Sequence, residues 1–172
     1  MKNLCRAAFI LMVILQSSMM IHAQLGPKLI REEEDEYGDQ IVEWRYMSYA
    51  FVSSTPSIAR PVTSYEILKY QKGSYRRLDN EVVFASNLSE ITQQVNAKLK
   101  SDYLQQQKSD PTCFPGFVPV RLNEVDIWVD ASNIYFGVIW DDEYLVDAFA
   151  ECFLPRSEIS FPFKEFEKYF AR

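Results

Sequence analysis

The stretch EVDIWVDASNIYFGVIW, residues 124–140, decides how this chain is expected to fold. Val125, Ile127 and Val129 alternate with Asp126, Trp128 and Asp130, the two-residue period of a strand with one buried and one wet face. Residues 130–133 are turn formers, and residues 134–140 are almost continuously apolar. A strand of that kind is buried on both faces and central in its sheet. The two segments are therefore expected to pair as a hairpin.

Immediately upstream the period changes. Leu88, Ile91, Val95, Leu99 and Tyr103 recur at intervals of three and four, which lays one apolar stripe along a helix running to about Lys108. Asn87 followed by Glu90 has the form of a capping box, and Asp110 with Pro111 closes the segment. Asn87, Leu88 and Ser89 also match a glycosylation sequon, but the cap explains the same asparagine better. Downstream, residues 158–163 are expected as a short strand, leading into a last amphipathic helix with Phe163, Phe166, Tyr169 and Phe170 on one side.

Towards the N-terminus, Val42, Trp44 and Tyr46 alternate with Glu43 and Arg45 and mark a half-buried strand. SYEILKYQKGSYRRL, residues 64–78, reads as two strands around a turn at Lys72 and Gly73. EVVFA, residues 81–85, reads as a further strand, and SSTPSIARP, residues 53–61, as a loop. The sum is an α+β fold, a mainly antiparallel sheet packed by one long helix and a short C-terminal helix. Aromatic residues make up 15% of the chain, and that density suits a β-rich core, the alternative being an exposed aromatic binding face.

The first 23 residues carry Lys2 and Arg6, then an apolar run over residues 7–15, then a polar stretch ending at Ala23, the layout of a cleaved secretory signal peptide. The run is too short to span a bilayer, so no membrane association is expected after cleavage. Residues 24–40, with Glu32, Glu33, Glu34, Asp35 and Glu36, read as an acidic flexible linker, and residues 41–172 as a single domain. A secreted or periplasmic location follows from this reading.

Export also restricts the chemistry. The one histidine, His22, lies in the segment expected to be removed. Taking Lys2 and Arg6 from the 18 basic residues leaves 16 against 24 acidic ones, a formal charge of −8. Nucleic acid is not the partner such a chain is built for. Serine or cysteine nucleophiles usually work with a histidine base, and zinc sites usually include one, so no catalytic residue, cofactor or metal is expected. Cys113 and Cys152 remain in an oxidising compartment and are expected either to form a disulfide, tethering the proline-bearing loop SDPTCFPGFVP, or to stay as buried free thiols.

Candidate binding residues are of two kinds. Trp44, Trp128 and Tyr135 offer aromatic surface for a carbohydrate-binding face. Asp141, Asp142 and Glu143 are adjacent acids at a strand end, which suit solubility, a calcium ion or an acid–base pair. A hydrolase using carboxylates alone would need two of Asp126, Asp130, Asp141, Asp142 and Glu143 to converge in one cleft.

The succession of a helix, a proline-bearing loop, the hairpin DIWVDASNIYFGVIW, then EYLVDAFAE and EISFPFKEFEKYF resembles the C-terminal extracytoplasmic domain of RsiV-type anti-sigma factors, and that of some extracellular deacetylase proteins. The resemblance covers roughly residues 81–170. Where that family carries a proline and a glycine after the hairpin, this chain has Val146, Asp147, Ala148 and Phe149. The resemblance implies a non-catalytic α+β module that binds protein, in the RsiV branch a lysozyme. A basic envelope or host protein such as a lysozyme would complement the acidic chain. Only a binding role is implied, since the family's spanning and sigma-binding segments have no expected counterpart here.

Overall fold

A computed structural model describes residues 26–58, 63–109, 116–140 and 156–170. Five strands, β1 (Lys28–Glu34), β2 (Gln40–Tyr46), β3 (Tyr49–Thr55), β4 (Ser64–Gln71) and β5 (Ser74–Leu78), form an antiparallel meander in sequence order. Helix α1 (Asn80–Val83) and a single 3-10 turn lead into α2 (Leu88–Ser109). A second antiparallel sheet has the order β6 (Asp126–Val129), β7 (Asn133–Ile139), β8 (Arg156–Pro162), and β8 runs directly into α3 (Phe163–Phe170). The expected α+β class holds, with the strands divided between two sheets.

The hairpin of residues 124–140 forms as its pattern dictates: Ile127 pairs with Phe136 and Trp128 with Tyr135. Ile127, Val129, Ile134 and Phe136 are buried. Asp130 closes the turn, its Oδ1 accepting the backbone N–H groups of Ser132 and Asn133, both at 2.7 Å. Lys72 and Gly73 both take positive φ, 51° and 88°, as a two-residue turn between twisted strands requires. Helix α2 buries Ile91, Val95, Leu99 and Tyr103 of the expected stripe, with Leu88 partly buried, and packs against β8. At its start the Asn87 amide donates to Glu90 Oε2 at 3.3 Å.

Three expectations are corrected. The acidic stretch is not a linker over residues 28–34, because it forms β1, paired with β2 from Lys28 opposite Arg45 to Glu34 opposite Gln40. Its side chains are all exposed, so the charges stay solvated while β2 pairs one side of the backbone. Residues 81–85 are helical rather than extended: the Asn80 amide donates to the carbonyls of Leu122 and Val125, at 2.9 and 2.7 Å, and fixes α1 on that distant segment. Residues 53–55 belong to β3 instead of a loop: Ser53 and Ser54 pair with both β2 and β4, and Thr55 with β2.

The disulfide is likewise withdrawn. No disulfide bond is present among the described residues, and Cys113 and Cys152 lie outside them, as does the expected signal peptide over residues 1–23. The described end of the cysteine-bearing loop is held by noncovalent contacts. Gly116 N–H donates to the Tyr103 hydroxyl at 2.9 Å, and Phe117 packs edge-on against Tyr103 and Trp140. The Asn96 side chain continues the anchor, donating to the Val120 carbonyl and accepting the Val120 N–H.

The core is built from both sheets and the helices, and aromatic rings link its parts. Phe170 of α3 meets Tyr46, Tyr49 and Phe51 of the first sheet, while Phe166 meets Phe84, Phe136 and Phe161. Phe84, fully buried, touches Phe136, Phe166, Tyr169 and Phe170. Its replacement in Phe84→Ala is expected to cost about 3–5 kcal/mol of unfolding free energy in urea titration, whereas Val82→Ala, at an exposed neighbour, should change it by less than about 0.5 kcal/mol. Equal effects would contradict this assignment of faces.

Candidate functional site

Strand β6 is an edge of its sheet and lies against β3 and β4 of the other, so the face of β6 opposite the core opens at the seam between the sheets. The alternation that buries Ile127 and Val129 turns Asp126, Trp128 and Asp130 outward. There the Trp128 ring stacks on Tyr65 of β4, with centroids 4.7 Å apart and planes at 22°, and on Tyr135 of β7 at 5.4 Å and 5°. Arg156, the first residue of β8, brings its guanidinium 5.3 Å from the Trp128 centroid and donates to the Tyr65 hydroxyl at 3.3 Å. It also pairs at 4.0 Å with exposed Glu158. Three aromatic rings and an arginine thus form one partly exposed cluster that joins the two sheets.

The cluster is held from below and from the side. Gly137 leaves the space the indole occupies, since a Cβ there would come within 2.8 Å of the Trp128 ring. Tyr135 donates its hydroxyl to Asp130 Oδ2 at 2.6 Å, which fixes the outermost ring to the hairpin turn. Burial pushes the Asp130 carboxyl up, but the hydrogen bonds from Tyr135 and from the backbone of Ser132 and Asn133 outweigh it and leave the group below the usual carboxylate range. The same bond, with burial, raises Tyr135 above an ordinary phenol. At the other end of β6, burial raises the Asp126 carboxyl against the opposing charge of Arg156.

Two clefts flank the cluster, and Tyr65 lines both. One, of about 280 Å³, is walled by Trp44 and Trp128 and rimmed by Ser53, Thr55 and Thr63. The other, of about 230 Å³, is polar, with Glu66, Arg77, Asp79, Asn80, Asn123 and Asp126. Of the expected binding residues, Trp128 and Tyr135 are in direct contact, and Trp44 shares the first cleft with Trp128 while packing against the core. Asp141, Asp142 and Glu143 lie outside the described residues. Tyr65, Gly137 and Arg156 carry no signal that sequence reading detected. Tyr65 could have been found from its place in the alternation of residues 64–70, but nothing local pairs it with Trp128.

Asp126 opens β6 and Asp130 stands in the turn after it, four residues on, which separates their backbones by about 13 Å. Among the described residues no group of three or more acidic, histidine or cysteine side chains gathers as a metal-binding set, and no helix is long and apolar enough to cross a membrane. No protein-family model, no curated protein and no solved structure matches the chain.

Asp130→Ala removes the acceptor for three donors and is expected to lower stability at pH 7 by roughly 1–2 kcal/mol. A carboxyl whose folded pKa is depressed contributes fully above the unfolded value, about 3.9, and loses that contribution as pH falls through the folded one. The gap between wild type and variant in urea titrations should therefore narrow between pH 5 and pH 3; a gap that widens would contradict the assignment.

Proposed function

We propose that this chain is an exported, non-catalytic module that binds a basic protein through the aromatic cluster of Tyr65, Trp128, Tyr135 and Arg156. The observation that carries the reading is the stack itself. Trp, Tyr and Arg are the residues that dominate binding energy at protein interfaces, above all where they are rigid and partly desolvated before the partner arrives. Here the rings are stacked on one another and fixed from two sheets, so little side-chain freedom remains to be lost on binding. Asp126, Asp130 and Glu158 surround them and supply the negative rim that a lysine- and arginine-rich surface complements. The resemblance to the RsiV-type domain and the acidic net charge favour a partner such as a lysozyme.

A basic c-type lysozyme is the probe for this reading, with binding followed by biolayer interferometry. Saturable binding that weakens with added salt is expected, and Trp128→Ala should weaken it at least roughly tenfold. Because Trp128 also packs at the seam, exposed Glu158→Lys serves as a second variant and should weaken binding with the fold intact. Absence of saturable binding, or wild-type affinity in both variants, would overturn the proposal.

A second reading rests on the cleft between Trp44 and Trp128, which combines aromatic walls with the hydroxyls of Ser53, Thr55 and Thr63 and no charged side chain among its described lining residues. That chemistry suits a neutral sugar ring. A neutral oligosaccharide should then shift tryptophan fluorescence in wild type and not in Trp44→Ala; no shift in either would remove this reading.

A further inference from the structure

The five-stranded sheet ends on β1 and β5, which no further strand among the described residues pairs, and β1 carries Lys28 and Arg31 ahead of three glutamates. At one edge every side chain of β1 is exposed and Glu32, Glu33 and Glu34 follow one another; at the other, β5 exposes Arg76 and Arg77. The register assigns these charges to faces. Glu32 lies opposite Val42, and Arg76 opposite Lys69, which pairs through Tyr49 to Tyr46; Val42 and Tyr46 share one face of β2. Glu33 lies opposite Ile41, and Arg77 connects through Leu68 and Ala50 to Arg45, on the other face. Each face therefore has an acid on β1 and an arginine on β5.

On the second face the charges are already paired within the chain, Glu33 with Arg31 at 3.1 Å and Arg77 with Glu66 at 3.0 Å. On the first, Glu32, Glu34 and Arg76 have no ionic partner among the described residues. A strand edge also carries a row of backbone donors and acceptors that the sheet itself leaves open. Charges on an edge ordinarily block pairing, and for strands that run the same way they block like edges: parallel in-register pairing of β1 with β1 would set glutamates together, and of β5 with β5 arginines. The combination of β1 with β5 is the one they favour.

We propose that copies of this chain associate head to tail, β1 of one copy extending the sheet along β5 of the next. Successive strands reverse direction, so β1 and β5 run the same way. A translated copy keeps both faces continuous and meets its neighbour as a parallel pair. In the register that sets Glu32 opposite Arg76, Glu33 falls opposite Arg77, and Glu34 lies one pleat from Arg76. The irregularity between Leu29 and Arg31 confines the regular ladder to the acidic half of β1. This contact is heterologous and uses β1 and β5, which contribute no residue to the aromatic cluster, so its failure would leave the binding proposal standing.

Charge exchange tests it. Arg76→Glu with Arg77→Glu makes both edges acidic; Glu32→Arg with Glu34→Arg makes both basic. In sedimentation equilibrium over a concentration series, the wild-type mass should rise with concentration, and each variant alone should associate roughly tenfold more weakly or less. An equal mixture of the two variants should regain association, an outcome that a purely structural role for these residues would not produce. If circular dichroism shows that a double variant is unfolded, Arg76→Glu and Glu32→Arg are compared in the same way. A wild type that stays monomeric at every concentration, variants that associate as wild type does, or a mixture without recovery overturns the proposal.

Discussion

Everything in this fold depends on burying the side chains of one short helix between two sheets. Helix α3 has eight residues, too few for a stable isolated helix. Its tertiary contacts hold it: Phe163, Phe166, Tyr169 and Phe170 are all buried. Phe163 and Phe170 stack at 5.6 Å and reach Tyr46 and Phe51 in the first sheet, whereas Phe166 reaches Phe136 and Phe161 in the second. The helix begins where β8 ends, and Phe163 N–H bonds to the Ser132 carbonyl in the β6–β7 turn. The second sheet also packs against the apolar stripe of α2, whereas α3 is the helix whose aromatic rings reach both sheets. Its burial favours folding at roughly 1.5–3 kcal/mol per large side chain.

The seam follows from that clamp. Once α3 holds the sheets together, β6 lies across β3 and β4, and the residues of β6 that cannot face the core emerge beside Tyr65. Trp128 is placed there by strand alternation, Tyr135 by the register of the hairpin, and Arg156 by the start of β8. Each of these positions is fixed by backbone pairing, so the cluster forms before any partner is present. Such preorganisation is what allows a small aromatic surface to bind tightly. The opposed carboxyl environments at the two ends of β6, Asp126 raised and Asp130 lowered, have the same origin: one end is desolvated, and the other closes a hydrogen-bonded turn.

Elements with a local pattern were legible in the sequence. The residues of α2 and α3 carry a helical stripe, those of β6 alternate, those of β7 after the turn formers are almost continuously apolar, and all fold accordingly. What escaped depends on distant partners. β3 follows β2 after only Met47 and Ser48, a turn without glycine in which Met47 takes φ 53°, so no composition change marks it. The acids of β1 are correctly solvated, but its pairing to β2 leaves no trace in a charge run. Residues 80–83 are helical because Asn80 reaches the backbone of residues 122 and 125, a contact that no local window contains. The aromatic site was half visible: Trp128 and Tyr135 stand out in the hairpin, whereas Tyr65, Gly137 and Arg156 join them only through the packing of two sheets.

Native-state hydrogen exchange in a denaturant series tests most directly whether the aromatic clamp makes both sheets one cooperative unit. The backbone amides of Phe51 and Ile67 in the first sheet, Phe136 in the second and Tyr169 in α3 should converge on one opening free energy, equal to that of global unfolding. Separate plateaus for the two sheets, with one opening while the other stays protected, would contradict the account, because each sheet would then be stable without the helix that is taken to join them.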